Sequence, residues 1–237
     1  MRVAILSDIH SNLQALTKAF SIIDRSNIDE IYCLGDIVGY GANPNECLAL
    51  LRTRAKHCVL GNHDMAAIDT AYADYFTKPG RIAAEWTHKM LTQENMAFLR
   101  SLPYTVEADT QTNLMTLTHA GPSDPDHWEY VQSLPTAQKQ FAAFTTQLCF
   151  IGHTHIPFVC GENLRTFTFK KDMRFLVNVG SVGQPRDANP QLSFGIFDTD
   201  AVTYQNIRSD YDIEGASKAI LDRGLPAVLA DRLSKGQ

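Results

Sequence analysis

The chain has 237 residues, of which 44% are hydrophobic and 20% are charged, and its formal net charge is −5. Such a composition is ordinary for a globular protein with a substantial core. The acidic balance argues against a dedicated nucleic-acid-binding protein, which usually carries a basic excess, but it does not exclude an anionic substrate, because bound metal ions can supply positive charge locally.

The first sixty residues alternate between short apolar runs and amphipathic segments. The runs at 3–6, 31–34 and 58–60 predict buried strands. The segments at 12–25 and 44–51 predict helices, the first capped by Ser11 and the second opened by Pro44. This strand and helix alternation is typical of an α/β sheet with parallel neighbours.

The remaining chain is predicted to be helical first and rich in strands later. Residues 65–100 predict helices with a break at Pro79-Gly80, residues 121–135 predict a long functional loop, and residues 136–146 predict another helix. Further strands are predicted at 104–106, 114–118, 148–151, 158–160, 164–169, 175–179, 194–197 and 202–207. Residues 214–233 predict two short helices divided by Gly224-Leu225-Pro226. We expect one domain at 1–208, with a helical tail at 209–237 packed on it.

The five cysteines form no C-x-x-C pair and are odd in number. We therefore expect buried thiols in a reducing compartment, not a disulfide framework. The first apolar run is too short for a signal peptide, and no apolar stretch approaches the ~20 residues that cross a bilayer. These observations predict a cytoplasmic protein without a membrane partner.

Five polar blocks follow one another along the chain, and most of them close a predicted strand. They are Asp8-Ile9-His10, Gly35-Asp36, Gly61-Asn62-His63-Asp64, His119 and Gly152-His153-Thr154-His155. Ligands of open α/β sheets bind beyond the carboxyl ends of the strands, so this placement predicts one shared crevice. Carboxylates and imidazoles suit zinc, manganese or iron, and a bridging aspartate can hold two such ions ~3.5–4 Å apart.

Each block taken alone also has a purely structural explanation. Asp8 and Asp36 are as readily helix or turn caps, and Asn62 after a glycine is more often a turn residue. His63 or His119 alone is more often a hydrogen-bonded histidine than a catalyst. The ordered combination of all five blocks favours the metal site.

The ordered blocks from Asp8 to His155 resemble those of the calcineurin-like metallophosphoesterases, and the later segments resemble a bacterial phosphodiesterase-like subgroup. The resemblance covers residues 1–208 and implies a four-layer α/β/β/α sandwich of two mixed sheets. It also implies two divalent metal ions, with Asp36 as the bridging ligand. The implied ligands are Asp8, His10, Asp36 and His155 for the first ion, and Asp36, Asn62, His119 and His153 for the second.

The resemblance implies a dimetal-dependent hydrolase that acts on small phosphodiesters or nucleotides through a metal-bridging hydroxide. His63 matches the family's histidine near the scissile phosphate, and Asp64 is expected to orient it. One alternative is a hydrolase of dinucleoside polyphosphates, and another is a metal-binding interaction scaffold of the same fold. A nuclease is the least favoured enzyme, because the chain lacks a basic stripe.

One departure from the family pattern concerns the substrate. Protein phosphatases and symmetrical dinucleoside tetraphosphatases carry Asp-Arg-Gly after the second block, where this chain has Val38-Gly39-Tyr40-Gly41. We expect Arg186 to supply the missing guanidinium and Tyr40 to contribute to substrate binding, although an arginine in a Pro-Arg-Asp turn is as readily solvated. Trp128 and Tyr130 either pack their loop or stack on a nucleobase.

Overall fold

Two five-stranded mixed sheets carry the fold in this computed structural model, which describes residues 1–110 and 113–237. The strands are β1 (Arg2–Leu6), β2 (Glu30–Cys33), β3 (His57–Cys58), β4 (Thr105–Asp109), β5 (Leu114–Thr118), β6 (Leu148–Ile151), β7 (Phe158–Gly161), β8 (Phe175–Asn178), β9 (Leu192–Asp198) and β10 (Thr203–Ser209). The first sheet has the order β10-β9-β1-β2-β3, and the second has the order β4-β5-β6-β8-β7. Strands β1-β2-β3 and β5-β6-β8 run parallel, whereas the other pairings are antiparallel.

Helices flank both sheets. They are α1 (Leu13–Ile23), α2 (Pro44–Arg52), α3 (Asn62–Ile68), α4 (Lys78–Met90), α5 (Gln93–Ser101), α6 (Leu134–Gln140), α7 (Ile213–Asp222) and α8 (Ala227–Lys235), with a 3₁₀ helix at Thr70–Tyr75. Within the described residues, no helix is both long and apolar enough to cross a bilayer.

The two faces of β1 show how the layers stack, because successive side chains of a strand point to opposite faces. Ala4 and Leu6 pack in a cluster with residues of α1 and α2. Val3 and Ile5 pack in a second cluster with β6 and β8 of the other sheet. The opposite face of β6 packs against Ala137 of α6. The order of layers is therefore helix, sheet, sheet, helix, which confirms the predicted four-layer sandwich.

Two predictions about helix boundaries are wrong. Asn12, and not Ser11, caps α1, because its side chain accepts a hydrogen bond from the backbone N–H of Ala15 at 3.1 Å. Pro79-Gly80 does not break a helix but lies in the first turn of α4. A proline is compatible with that turn because its missing N–H has no partner within the helix in any case.

The prediction of a strand at 164–169 is also wrong. The side chain of Asn163 accepts hydrogen bonds from the backbone N–H groups of Arg165 and Thr166, both at 3.0 Å. Such local bonds stabilise a turn after β7 and compete with pairing to a neighbouring strand. The predicted helix at 136–146 is shorter and begins earlier, at Leu134.

Candidate metal centre

All five polar blocks follow parallel strands of the two sheets. The first three blocks follow β1, β2 and β3, and the last two follow β5 and β6. The carboxyl ends of parallel strands lie at one edge of a sheet, so the topology brings the blocks to a common crevice. All seven predicted ligands are buried there.

The first group of side chains consists of Asp8, His10, Asp36 and His155, whose potential ligand atoms all lie within 4.8 Å of one another. His155 Nε2 lies 3.1 Å from His10 Nε2 and 3.3 Å from Asp8 Oδ1. His10 Nε2 in turn lies 3.6 Å from Asp36 Oδ2. Two imidazoles and two carboxylates therefore converge on one point.

The second group consists of Asp36, His119 and His153, with ligand atoms again within 4.8 Å of one another. His119 Nε2 lies 3.1 Å from His153 Nδ1, 3.2 Å from Asn62 Oδ1 and 3.3 Å from Asp36 Oδ2. Asp36 thus belongs to both groups, as a bridging ligand must. The structure brings together all seven predicted ligands.

The hydrogen bonds of His10 and His155 show that the first group fits a cation. In both rings Nδ1 contacts a backbone carbonyl, that of Val38 at 3.2 Å for His10 and that of Gln184 for His155. A carbonyl only accepts, so Nδ1 carries the proton and Nε2 of each neutral ring presents a lone pair. Two lone pairs and two carboxylates face one another, and this arrangement is unfavourable unless a cation lies among them.

The second group has the same character. His119 Nδ1 donates to the carbonyl of Leu34 at 2.7 Å, so Nε2 is the ring nitrogen that faces the oxygens of Asn62 and Asp36 and can bind a metal once it loses its proton. His153 turns its Nδ1 towards His119, and its Nε2 is buried with no hydrogen-bond partner among the described residues. Buried polar atoms are rarely left unpaired in folded proteins. Nitrogen and oxygen donors of this kind suit zinc, manganese or iron.

The charge states follow from burial and from Asp36. Burial lowers the pKa of His10 and of His155 well below the ordinary value, so both rings are neutral. Burial also lowers the pKa of His119, but the Asp36 carboxylate outweighs it and raises that pKa to about 9. Burial raises the pKa of Asp36, yet His119 and His63 hold it well below its usual range. A proton on His119 is thus the cation of the metal-free site.

The backbone at this site is held in an uncommon conformation. Five of the seven predicted ligands have φ between 50° and 65°, a region that non-glycine residues seldom adopt. Strain of this kind persists only where the surroundings fix it, and it is concentrated at functional sites. Two glycines make room for the ligands, because a Cβ at Gly61 would overlap Asp36 and a Cβ at Gly152 would overlap Asp8.

His63 lies beside the first group. Its ring packs between those of Tyr40 and Phe76, with both centroids 4.3 Å away, and it meets His10 edge-on at 4.9 Å. Burial lowers the pKa of His63 to about 4, so the ring is neutral at physiological pH. Within the part of the chain that the structure describes, its buried Nδ1 has no hydrogen-bond partner.

Asp64 does not orient His63 in the predicted way. Its Oδ1 accepts hydrogen bonds from the backbone N–H groups of Ile37 and Val38, at 2.9 and 3.0 Å, and its Oδ2 accepts from that of Gly61 at 3.1 Å. Among the described residues no hydrogen bond joins Asp64 to His63. Asp64 instead ties the segment after Asp36 to the first turn of α3.

A family model for the calcineurin-like phosphoesterase superfamily domain matches residues 1–202. The chain belongs to this superfamily. A metallophosphoesterase from Sphaerobacter thermophilus of solved structure is 37% identical, with a TM-score of 0.87 over 100% of this chain and 99% of that chain. An uncharacterised protein of Methanocaldococcus jannaschii is 42% identical over 99% of this chain and 98% of its own length.

A more distant relative has a named activity. The symmetrical bis(5'-nucleosyl)-tetraphosphatase of Pasteurella multocida is 36% identical over 106 residues, which is 44% of this chain and 37% of that enzyme. The likeness to that enzyme is thus partial.

The two predicted substrate-binding residues of this phosphoesterase lie together at the rim of the metal centre. The guanidinium carbon of Arg186 lies 5.7 Å from the ring centroid of Tyr40, and its Nη2 lies 3.4 Å from the Tyr40 hydroxyl. The ring of Tyr40 also contacts the ring of His10, with the centroids 4.7 Å apart. Arg186 donates to Gln184 Oε1 as well, so its side chain is held locally but points to the site.

The aromatic residues of the 121–133 loop have different surroundings. Trp128 packs against Tyr72 and Tyr104, with centroids 6.0 and 6.1 Å away, as its loop-packing alternative predicts. Tyr130 stacks on the ring of His153 at 4.0 Å and is 46% exposed. Tyr130 is therefore the loop residue that reaches the metal centre.

Sequence reasoning missed one residue of the site altogether. The guanidinium carbon of Arg232, on α8, lies 5.9 Å from the ring centroid of Tyr40. Arg232 belongs to no motif, and it lies far along the chain from the five polar blocks. Its only sequence signal is a basic residue near the end of a predicted helix, a place where most such residues interact with the helix dipole.

Proposed function

We propose that this phosphoesterase hydrolyses small phosphodiesters or nucleotides with the help of two divalent ions of manganese, iron or zinc. The proposed ligands are Asp8, His10, Asp36 and His155 for one ion, and Asp36, Asn62, His119 and His153 for the other. The observation that carries the proposal is the pair of Nε2 lone pairs of His10 and His155, 3.1 Å apart, with carboxylates on either side. Without a cation between them, these lone pairs and carboxylates repel one another and destabilise the folded protein.

The side chains around the ions have separate roles in the proposed reaction. Two divalent ions held here supply Lewis acidity towards the phosphate oxygens and an activated water. His63 is neutral, so we assign it a hydrogen bond donated to the leaving oxygen or to the phosphate, and not a full positive charge. The rings of Tyr40 and Phe76 hold it in place for that role.

Arg186 and Tyr40 are the proposed substrate contacts. Arg186 carries the positive charge at the rim of an otherwise acidic and imidazole-rich site, and its guanidinium geometry suits a phosphate. Burial has the largest effect on three neighbouring pKa values: it raises that of Asp8 and lowers those of His10 and His155. The positive charge of Arg186 lowers all three. Arg186 thus replaces the arginine that is absent after Asp36.

A second candidate is a hydrolase of dinucleoside polyphosphates. It is favoured by the partial likeness to the symmetrical bis(5'-nucleosyl)-tetraphosphatase of Pasteurella multocida. In a substrate of that class the bond to be cleaved is a phosphoric anhydride and not a phosphodiester, but it would be bound by the same pair of ions. Comparing diadenosine tetraphosphate with bis-p-nitrophenyl phosphate under identical conditions distinguishes the two candidates.

The proposal is tested with manganese-loaded protein and bis-p-nitrophenyl phosphate. We expect metal-dependent hydrolysis in the wild type and its loss, by at least 1,000-fold, in Asp36→Asn, because the bridge between two Lewis acids is removed. The matched control is Asp124→Asn, which alters an exposed cluster of Asp124, Asp126 and His127. Full activity in Asp36→Asn, or loss of activity in the control, contradicts the proposal. An inert protein that binds no metal supports the interaction-scaffold alternative.

We also propose that the protein is cytoplasmic and has a small phosphorylated substrate as its partner, without nucleic acid or membrane. All five cysteines are free thiols, as in proteins of reducing compartments. We further propose that residues 209–237 belong to the same domain as residues 1–208. In support, α7 and α8 pack against Ala42 and Ala83 of that domain.

A further inference from the structure

Two arginines from distant parts of the chain share one aromatic ring. Arg186 follows β8, and Arg232 belongs to α8, yet their guanidinium carbons lie 5.7 and 5.9 Å from the centroid of Tyr40. Both side chains are half-buried. We name Arg186, Arg232 and Tyr40 the arginine subsite.

The arginine subsite holds two positive charges close together. Within residues 1–110 and 113–237, neither Arg186 nor Arg232 forms an ion pair with an aspartate or a glutamate. Burial and the charge of Arg186 lower the pKa of Arg232, which shows that the two cations repel each other. Two half-buried guanidinium groups that no aspartate or glutamate of the described residues pairs with are a natural place for an anion.

The end of α8 is fixed to the segment that carries Arg186. The backbone N–H of Ala188 donates to the carbonyl of Gly236 at 3.0 Å. Gly236 has a φ of +63°, and a Cβ there would lie 2.6 Å from the backbone nitrogen of Asn189. Arg232 Nε donates to the main-chain oxygen of Gln237 at 2.9 Å, and the side chain of Tyr40 interacts with the same guanidinium. These bonds hold the two arginines in a fixed relation.

We propose that the arginine subsite binds a second phosphate of the substrate, next to the phosphate that lies at the metal centre. Arg186 is the nearer of the two to the metal ligands, because its backbone N–H donates to the carbonyl of His155 at 3.4 Å, whereas Arg232 reaches Tyr40 from α8. Arg232 is then the residue that selects substrates with two or more adjacent phosphates over simple diesters. This inference rests on the proposed function, since it assumes a phosphate at the metals.

The test compares two ligands that differ by one phosphate. Isothermal titration calorimetry of the manganese-loaded protein measures the affinities of adenosine monophosphate and of the non-hydrolysable α,β-methylene analogue of adenosine diphosphate. A bond between a charged guanidinium and a phosphate changes affinity by about tenfold or more. We therefore expect the wild type to bind the diphosphate analogue at least tenfold more tightly than the monophosphate.

Variants of Arg232 assign the difference to a residue. Arg232→Gln should reduce the ratio of the two affinities to near one, and Arg232→Lys should retain part of it, because a lysine keeps the charge but not the bidentate geometry. The control is Arg223→Gln, which removes the same charge from an exposed position at the end of α7 and should keep the wild-type ratio. Arg232→Lys also guards against a loss caused by misfolding, which thermal denaturation checks.

The outcomes separate this inference from the proposed function. A ratio near one in the wild type, no binding of either ligand, or an unchanged ratio in both Arg232 variants overturns the arginine subsite. A wild-type ratio that is lost in Arg232→Gln supports the subsite even if the protein hydrolyses neither bis-p-nitrophenyl phosphate nor diadenosine tetraphosphate. In that case the proposed reaction fails and the subsite stands.

Discussion

Asp64→Asn tests whether Asp64 acts through the backbone and not through His63. The wild-type carboxylate is fully buried and accepts three hydrogen bonds, from the N–H groups of Ile37, Val38 and Gly61. An asparagine has only one oxygen. In its less costly orientation that oxygen keeps the bonds from Ile37 and Val38, and the amide NH₂ group faces the N–H of Gly61, donor against donor.

The magnitude follows from that single lost bond. A hydrogen bond to a charged acceptor contributes about 1.5–3 kcal/mol, and a buried N–H without an acceptor costs about 1–3 kcal/mol. Both figures describe the same lost bond and are therefore not added together. Because the amide NH₂ group also faces the N–H of Gly61, we take the upper end of the range and expect the free energy of unfolding to fall by about 3 kcal/mol. For a chain of this length each kcal/mol lowers the Tm by about 2–4 °C, which gives a loss of roughly 6–12 °C.

The assay is thermal denaturation of the metal-free protein at about pH 8.5, followed by circular dichroism, because burial raises the pKa of Asp64 to about 7 and the side chain must be ionised. Asp69→Asn is the matched control, because Asp69 also accepts a backbone N–H, that of Ala71 at 3.0 Å, but is exposed. We expect its Tm to change by less than about 2 °C, as for exposed caps where asparagine replaces aspartate. A Tm for Asp64→Asn as high as that of the control, together with a shifted pH profile of hydrolysis, would refute this reasoning and restore a direct contact with His63.

Three further predictions concern the reaction and the ions. His63→Ala should lower kcat by about 100–10,000-fold with unchanged metal content, and unchanged kcat contradicts its role. Gly61→Ala places a methyl group on Asp36, so metal content measured by mass spectrometry should fall while circular dichroism stays native. Because the pKa of His119 is about 9 without metal, binding at pH 7 should displace about one proton and tighten as the pH rises towards 9. Calorimetric titration with manganese in two buffers of different ionisation enthalpy measures that proton, and equal heats would contradict it.

The ligand set could be predicted from the sequence because metal chemistry restricts it to few residue types. The strand ends could be located from their apolar runs, and parallel strands deliver their following residues to one edge. Asp8, Asp36 and the histidine blocks were therefore expected to share one crevice. The two sheets and their order of layers were implied by the resemblance to the metallophosphoesterases and not by the spacing of the strands.

Other parts of the site depend on packing that no local pattern encodes. Asp64 follows His63 directly, which suggested a pair, but consecutive residues of a helix point in different directions. Its place in the first turn of α3 lets it accept the N–H of Gly61 instead. Arg232 reaches Tyr40 only because α8 packs beside it, and that position is set by tertiary contacts.

The content of bound metal tests the central claim most directly. Purified protein is loaded with manganese, freed of excess ion by gel filtration and measured by inductively coupled plasma mass spectrometry. We predict two manganese ions per chain in the wild type and in Asp124→Asn, and fewer than one in Asp36→Asn, because Asp36 belongs to both ligand groups. A wild type that retains no metal, or an Asp36→Asn variant that retains two ions, would contradict the bridged pair of ions.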